Sequence, residues 1–160
     1  MVEFALVAPL LFVLLFGMLD LGKAFNYWNV EQQMASEGAR MAAVNATGTC
    51  PGASTATTLP NYIKCQAVTN ELRNGGSVWL ANPVTVCIDS PLATPRFNTG
   101  DPVRVTVTIN FRWLPALNPL LKQLSGSSSN STLSGTTSIT GAATMRLEAP
   151  LDVANRGCST

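Results

Sequence analysis

One uninterrupted apolar run near the N-terminus constrains this chain more than any other feature. Residues 4–19 read FALVAPLLFVLLFGML and include no charged or strongly polar side chain. The run has 16 residues, or about 24 Å of helix, which is slightly fewer than the roughly 20 residues that a bilayer core requires. Leu21 and Ala24 extend the apolar character past Asp20. The run therefore needs a membrane or other apolar helices around it.

The charges that flank the run argue against a cleaved secretory signal. Such a signal has basic residues before its apolar region and a small-residue cleavage site after it. Here Glu3 precedes the run, Lys23 is the first basic residue and follows it, and no A-x-A site comes next. We therefore interpret the run as a retained part of the chain.

The helical pattern continues beyond the apolar run. Residues 24–46 read AFNYWNVEQQMASEGARMAAVNA, with apolar side chains at helical spacing and no proline. The pattern predicts one helix from Val2 to Ala46, roughly 65–70 Å long, hydrophobic in its first half and amphipathic in its second. Pro9 predicts a kink or local melting, and Gly17 weakens the helix by up to about 1 kcal/mol. Both residue types are also simply common in membrane helices.

Two acids lie at the ends of the apolar run. Burying an unpaired carboxylate costs several kcal/mol. Glu3 therefore either stays at the membrane surface or pairs with an α-amino group, its own or that of a neighbouring copy. Asp20 can pair with Lys23, three residues later on the same helical face.

The remainder of the chain predicts an α+β fold with a small antiparallel sheet packed on the amphipathic half of the helix. The strongest strand pattern is VRVTVTINFRW, in which six apolar residues alternate strictly with polar ones. Such alternation is typical of a sheet with one face on a helix and one face in water. The predicted elements are a loop at 47–60, a helix at 61–74 stopped by Gly75 and Gly76, and strands at 84–88, 103–113 and 138–148.

Two connections have unusual compositions. Residues 114–124, LPALNPLLKQL, are either a loop that covers the core or an exposed apolar patch for a neighbouring subunit. Residues 125–138 are low in complexity and polar, which predicts a surface loop. Asn45 and Asn130 lie in N-glycosylation sequons, a motif that occurs often by chance, and the Ser/Thr cluster is an equal candidate for O-linked sugar.

Cys50, Cys65, Cys87 and Cys158 predict two disulfides in an exported chain. None belongs to a C-x-x-C motif, and the chain has no histidine to complete a zinc site. Three pairings are open. We favour Cys50–Cys65, which ties the loop after the long helix to the short helix, and Cys87–Cys158, which pins the C-terminal tail to the sheet. The alternative is four reduced thiols in a cytoplasmic domain.

Composition and motifs exclude several classes of function. The net charge of +1 offers no basic face for nucleic acid. Without histidine there is no Ser-His-Asp triad, and the nine acids are scattered with no phosphate loop, H-E-x-x-H or G-x-S-x-G pattern. We therefore expect no enzyme, no cofactor and no metal. A single-pass membrane protein with a ligand-binding head is a third possibility, but no aromatic cluster or charged pocket favours it.

The strings VEFALVAPLLFVLLFGMLDLGKAF and SEGARMAA resemble the N-terminus of TadE-like proteins, pseudopilins of the tight-adherence branch of the type IV pilus superfamily. GDPVRVTVTINFRWLPAL and ITGAATMRLE are similar to the C-terminal part of that family. In the family, a prepilin peptidase cuts after a glycine ahead of the apolar run and leaves an acid at mature position five, followed by an aromatic. Glu3 and Phe4 match this pair, two residues short of the family's register.

The resemblance implies a type IV pilin-like fold and a structural role. Residues 1–24 would form the membrane or filament-core half of the helix, and residues 25–160 the extracellular head. The chain would wait in the inner membrane, be processed by prepilin peptidase, and be assembled by the pilus machinery into an extracellular filament of identical subunits. Glu3 would neutralise a neighbour's N-terminal amine and set axial register, with Phe4, Pro9, Gly17, Asp20 and Lys23 as further assembly residues. A minor pseudopilin, acting in initiation, at the tip or as a membrane-anchored component, is the alternative.

Overall fold

A computed structural model describes residues 2–46, 48, 58–66, 80, 82–92, 94, 96–113 and 136–159, with side chains at positions 2, 3, 5, 6 and 9 outside that description. The helices are α1 (Val2–Ala43) and α2 (Leu59–Cys65), and a 3-10 turn covers Val153–Asn155. The strands are β1 (Thr85–Asp89), β2 (Pro102–Arg112), β3 (Thr136–Arg146) and β4 (Gly157–Cys158).

The N-terminal helix is continuous, as the sequence predicts, and it ends three residues earlier than expected. Asn45 takes a left-handed conformation with φ of 50°, a common way for a helix to end. The helix runs through Pro9 with no break. Local melting at this residue was therefore a wrong expectation, because the turns on both sides remain helical.

The strands form one antiparallel sheet in the order β3-β2-β1-β4. β2 pairs with β3 along its whole length, from Pro102 opposite Arg146 to Arg112 opposite Thr136. On its other side β2 pairs with β1, and β1 pairs in turn with the two-residue strand β4. The predicted α+β class is confirmed, with a long apolar helix packed on a four-stranded antiparallel sheet.

The alternation predicted for the central strand is present in the structure. One face of β2 is buried against α1, whereas Arg104 and Arg112 on the other face are exposed. A strand buried on one face only needs apolar residues at every second position, so its sequence pattern identifies it directly. The buried members are Val103, Val105, Val107, Ile109 and Phe111.

The second half of α1 lies across β2 and β3. At its C-terminal end, the carbonyl oxygen of Ala43 accepts hydrogen bonds from the N–H groups of Glu148 and Ala149, at 2.7 and 3.2 Å. Toward the apolar half, the ring of Tyr27 lies 5.8 Å from that of Phe111, between centroids. These contacts place the end of β2 and the start of β3 nearest the apolar half of the helix.

Each strand boundary differs from its sequence-based expectation by one or two residues, and the start of α2 also differs. α2 begins at Leu59, not at 61, because Pro60 is accommodated in the first turn, where its missing N–H costs nothing. β3 begins at Thr136, so the predicted polar loop ends before 138. The short strand β4 was not predicted at all. Residues 67–74 of the predicted helix, its Gly75–Gly76 stop, and residues 114–135 lie outside the described residues.

Candidate functional site

The first half of α1 protrudes from the fold with its apolar side chains uncovered. Residues 10 to 15 are all exposed in succession, so that no side of the helix is covered there. From Phe4 to Phe25 this surface is about 32 Å long. The helix is long and apolar enough to cross a membrane. The exposed large side chains are Phe4, Val7, Leu10, Leu11, Phe12, Val13, Leu14, Leu15, Met18, Leu19, Leu21, Phe25 and Trp28.

A buried stripe along α1 begins at Asp20. Its members recur every three or four residues, which is the spacing of one helical face. Asp20 is only 3 % exposed although it lies next to the apolar half. The buried members that follow are Ala24, Tyr27, Glu31, Met34, Ala35, Gly38, Ala39, Ala42 and Ala43.

The predicted assembly residues are spread along the helix and do not converge on one point. Asp20 is buried and Lys23 is exposed, and no ion pair joins these two described side chains. Phe4 is 77 % exposed. A Cβ added to Gly17 would meet nothing within 4 Å, so this glycine serves no close contact in the single chain. The side chains of Glu3 and Pro9 lie outside the described residues.

The sequence patterns did not single out Glu31, the most unusual side chain on the buried stripe. It is fully buried, and among the described residues neither carboxylate oxygen has a hydrogen bond of good geometry, the backbone of Ile109 being the donor that acts on it. Burial raises the pKa of Glu31 to about 8, and the backbone of Ile109 opposes that rise more weakly. Helical spacing could have predicted the burial of Glu31. It follows Tyr27 by four residues and precedes Ala35 by four, so the three residues share one face of the helix.

Gly141 of β3 accounts for the close approach of helix and sheet at this point. A Cβ on this residue would lie 2.8 Å from the carbonyl carbon of Glu31 and 3.0 Å from the amide nitrogen of Gln32. Any side chain would thus collide with helix backbone, which cannot rotate away. The absence of a Cβ lets the helix lie directly on the strand.

The expected link between Cys87 and Cys158 is present as a disulfide. The two residues are opposite each other in the pairing of β1 with β4, so the bond fastens the C-terminal strand to the sheet. Ser159 continues this attachment, because its N–H donates to the carbonyl of Val86 and its Oγ accepts from the Val86 N–H. Cys65 is also disulfide-bonded, and Cys50 lies outside the described residues.

Asn45, a candidate for glycosylation, belongs to a hydrogen-bonded network. Its Nδ2 donates to Asp152 at 3.0 Å, and its Oδ1 accepts from the side chain of Asn155 at 2.7 Å. Asn155 is buried, and its Oδ1 accepts the N–H of Leu59 at the start of α2. The amide of Asn45 therefore holds α1, α2 and the C-terminal segment together. Asn130 lies outside the described residues.

The described residues contain no group of three or more His, Cys, Asp or Glu side chains that could hold a metal ion. A groove between α1 and α2 is lined mainly by apolar side chains, among them Val30, Met34, Met41 and Ile63. It brings together no nucleophile and base. Of these candidate functional sites, the exposed apolar surface of α1 is therefore the best supported.

Comparisons with known proteins identify the same segment. Residues 1–40, a quarter of the chain, match the family model of the TadE-like protein. Neither the curated proteins nor the solved structures gave a match. The matched segment contains the whole exposed apolar surface and most of the buried stripe. The N-terminal segment of this chain, residues 1–40, is therefore similar to TadE-like proteins and is built around an N-terminal hydrophobic helix.

Proposed function

We propose that this chain is a structural, non-enzymatic subunit that assembles through its N-terminal helix into an extracellular filament of the type IV pilus kind. The observation that carries the proposal is the exposed apolar half of α1. Thirteen large apolar side chains between Phe4 and Trp28 are 43–77 % exposed, far more than an isolated protein in water can keep uncovered. Such a surface requires lipid before assembly and neighbouring helices after it.

The point on α1 at which buried residues begin supports the same proposal. Residues 1–24 would form the membrane and filament-core part, and residues 25–160 the extracellular head. The buried stripe begins within α1 near this boundary, at Asp20 and Ala24. A head fastened by the Cys87–Cys158 disulfide suits an oxidising location outside the cytoplasm.

Moving the helix from lipid into a filament exchanges one apolar environment for another. The gain in free energy must then come from close packing and from the pairing of charges. We assign the pairing to Glu3, whose carboxylate would meet the N-terminal amine of a neighbouring subunit. Gly17 would supply close packing, because the space beside it is open in the single chain.

Before assembly the chain would be held in the inner membrane and processed by a prepilin peptidase, and the pilus machinery would then extract it. These partners follow from the family resemblance of residues 1–40. They are consistent with a helix that is long and apolar enough to span a bilayer.

Electron microscopy of material sheared from producing cells, with intact-mass spectrometry of the same fraction, tests the proposal. We expect uniform thin filaments made mainly of this chain. If the chain is a trace component beside another pilin, or stays in the membrane fraction, it is a minor pseudopilin. The proposal of assembly would be contradicted by two results together: the sheared fraction lacks the chain, and the chain extracted from the same cells with detergent is a stable monomer.

A further inference from the structure

The apolar surface of α1 ends in two aromatic side chains. Phe25 is 61 % exposed and Trp28 is 43 % exposed, and their ring centroids lie 5.8 Å apart. Exposed polar residues alternate with them, namely Asn26 and Asn29. From Phe4 to Gly22 the exposed surface carries no charged side chain, and Lys23 is the first exposed charge below the pair. The two rings therefore lie where an apolar surface gives way to a polar one.

The length of the surface below this boundary matches a bilayer. Phe4 and Phe25 are 21 residues apart, which is about 32 Å of helix, and the hydrocarbon core of a bilayer is about 30 Å thick. Asp20 falls within this length, but it is only 3 % exposed and would be shielded from lipid by the protein. Lys23 is exposed, and its long side chain can reach the headgroups from within the helix's last apolar turn.

From this geometry we infer that Phe25 and Trp28 lie in the headgroup region of the outer leaflet and set the depth of the helix before assembly. Trp and Tyr are enriched at that level because each joins an apolar ring to a polar N–H or O–H group, and Trp28 supplies such a ring beside the apolar Phe25. Contacts between membrane helices favour small residues, so two bulky rings fit lipid better than a second copy of the chain. This inference rests on the membrane-anchored state in the proposed function.

The position of the sheet follows from that depth. The ring of Tyr27 packs at a tilt against Phe111 at the end of β2, and Phe111 contacts Trp113 edge-on, with 5.0 Å between centroids. The Trp113 Nε1–H donates to Thr137 Oγ1 at 2.8 Å, which joins this end of β2 to the start of β3. With Phe25 and Trp28 at the headgroups, this end of the sheet would rest on the membrane surface.

Fluorescence quenching of the full chain in phosphatidylcholine vesicles tests the depth. The Trp79→Phe/Trp113→Phe variant leaves Trp28 as the only tryptophan. We expect bromines at lipid carbons 6 and 7 to quench it more than bromines at carbons 11 and 12, and aqueous iodide to quench it weakly. As a deep control, Leu15→Trp in a background with all three native tryptophans replaced by Phe should show the opposite order.

The outcomes separate this inference from the proposed function. A deep Leu15→Trp signal, with Trp28 quenched by iodide but by no lipid, would overturn the interfacial depth and leave the membrane anchor intact. Trp28 shielded from both quenchers would mean that a second copy covers it, which also overturns the inference. If neither position meets lipid, the membrane anchor itself is wrong.

A second variant avoids dependence on the tryptophan replacements. Phe25→Cys changes an exposed side chain and can carry a nitroxide label. At the headgroups the label should collide with both dissolved oxygen and a water-soluble nickel complex. A label at Leu15→Cys should collide with oxygen alone. A label at Phe25→Cys that meets only oxygen, or only nickel, places the ring away from the headgroups and contradicts the inference.

Discussion

The backbone of Glu31 in α1 lies so close to Gly141 in β3 that a single added methyl group would stand 2.8 Å from the Glu31 carbonyl carbon. Helix and strand are both regular at this point. Neither backbone can move aside alone, so Gly141 sets how closely α1 packs on the sheet.

Replacing Gly141 with alanine should lower the free energy of unfolding by about 1–3 kcal/mol, because the new Cβ forces the helix away from the strand. Chemical denaturation of the full chain in detergent micelles measures this change. Gly22→Ala is the matched control, since a Cβ there meets nothing within 4 Å and should slightly stabilise the helix. Equal stability of Gly141→Ala and the parent chain would contradict the close approach.

Glu31 should make the fold less stable as pH rises. Its folded-state pKa of about 8 lies above its ordinary value of 4.5, so the folded chain retains a proton that the unfolded chain releases. The stability from this group is therefore fully present below about pH 4.5 and is lost as pH rises toward 8, by at most about 1.4 kcal/mol per pH unit. The chain has no histidine, which leaves this pH range almost free of other titrating side chains.

Denaturation of Glu31→Gln at pH 5 and pH 8 tests this expectation. The amide cannot ionise, so the variant should show a flat dependence on pH and exceed the parent chain in stability at pH 8. Ile109 of β2 and Gly141 of β3, two described residues of the sheet that contact Glu31, do not titrate. Glu37→Gln, at an exposed position on the same helix, should retain the parent's dependence. A parent chain equally stable at both pH values would refute the prediction.

Removing the Cys87–Cys158 disulfide should lower stability by about 2–4 kcal/mol, because the bond closes a loop across a sequence separation of 71 residues. The Cys87→Ser/Cys158→Ser variant, compared with the parent chain by thermal unfolding, measures the loss. Intact-mass spectrometry under non-reducing conditions confirms the bond in the parent chain. An unchanged melting temperature would show that β4 does not depend on the bond for its place in the sheet.

Asn155→Ala should cost about 1–3 kcal/mol, because it leaves the buried N–H of Leu59 without an acceptor. It also removes the donor to Asn45. Asp152→Ala is the control, because it deletes only an exposed contact to the same network and should change stability by less than about 0.5 kcal/mol. Similar losses in the two variants would show that Asn155 is not the centre of the network.

Glu3→Ala should abolish or strongly reduce filaments and leave the head folded, since the pairing assigned to Glu3 forms between subunits. The measurement is the amount of chain in the sheared fraction, alongside its melting temperature in micelles. Glu37→Ala removes an acid of the same helix at an exposed position and should assemble normally. Normal filaments from Glu3→Ala would remove this carboxylate from the mechanism.

The parts of the fold that could be read from the sequence are those in which one physical pattern dominates. The apolar run predicts α1, and strict alternation predicts β2, because each pattern matches the geometry of its element over many residues. β4 has two residues and no pattern of its own. The favoured Cys87–Cys158 pairing predicted that the C-terminal tail is attached to the sheet, and the structure confirms it. The strand pairing of the two cysteines was not predicted, because two residues carry no alternation.

The candidate site divides in the same way. The exposed apolar surface follows from composition alone, but the burial of Glu31 contradicts the usual preference of a carboxylate for water. Gly141 carries no signal at all, since its importance depends on a helix that is distant in the sequence. The suggested Asp20–Lys23 pair stays a prediction: Asp20 is buried and Lys23 is exposed, and spacing on a helix does not say which neighbour the fold will bury.

Because α1 is continuous, it joins its exposed apolar half rigidly to the half that packs on the sheet. Between the exposed half and the packed half there is no loop, so the head cannot swivel about its own anchor. Each residue of helix turns the direction of the head by about 100° and raises it by 1.5 Å. The number of residues between Phe4 and Tyr27 therefore sets the direction in which the sheet faces around the axis of α1, relative to the exposed apolar half. In an assembly of such chains, one residue inserted between Phe4 and Tyr27 would rotate each sheet by about 100° about its helix, so that each sheet would face a different neighbouring subunit.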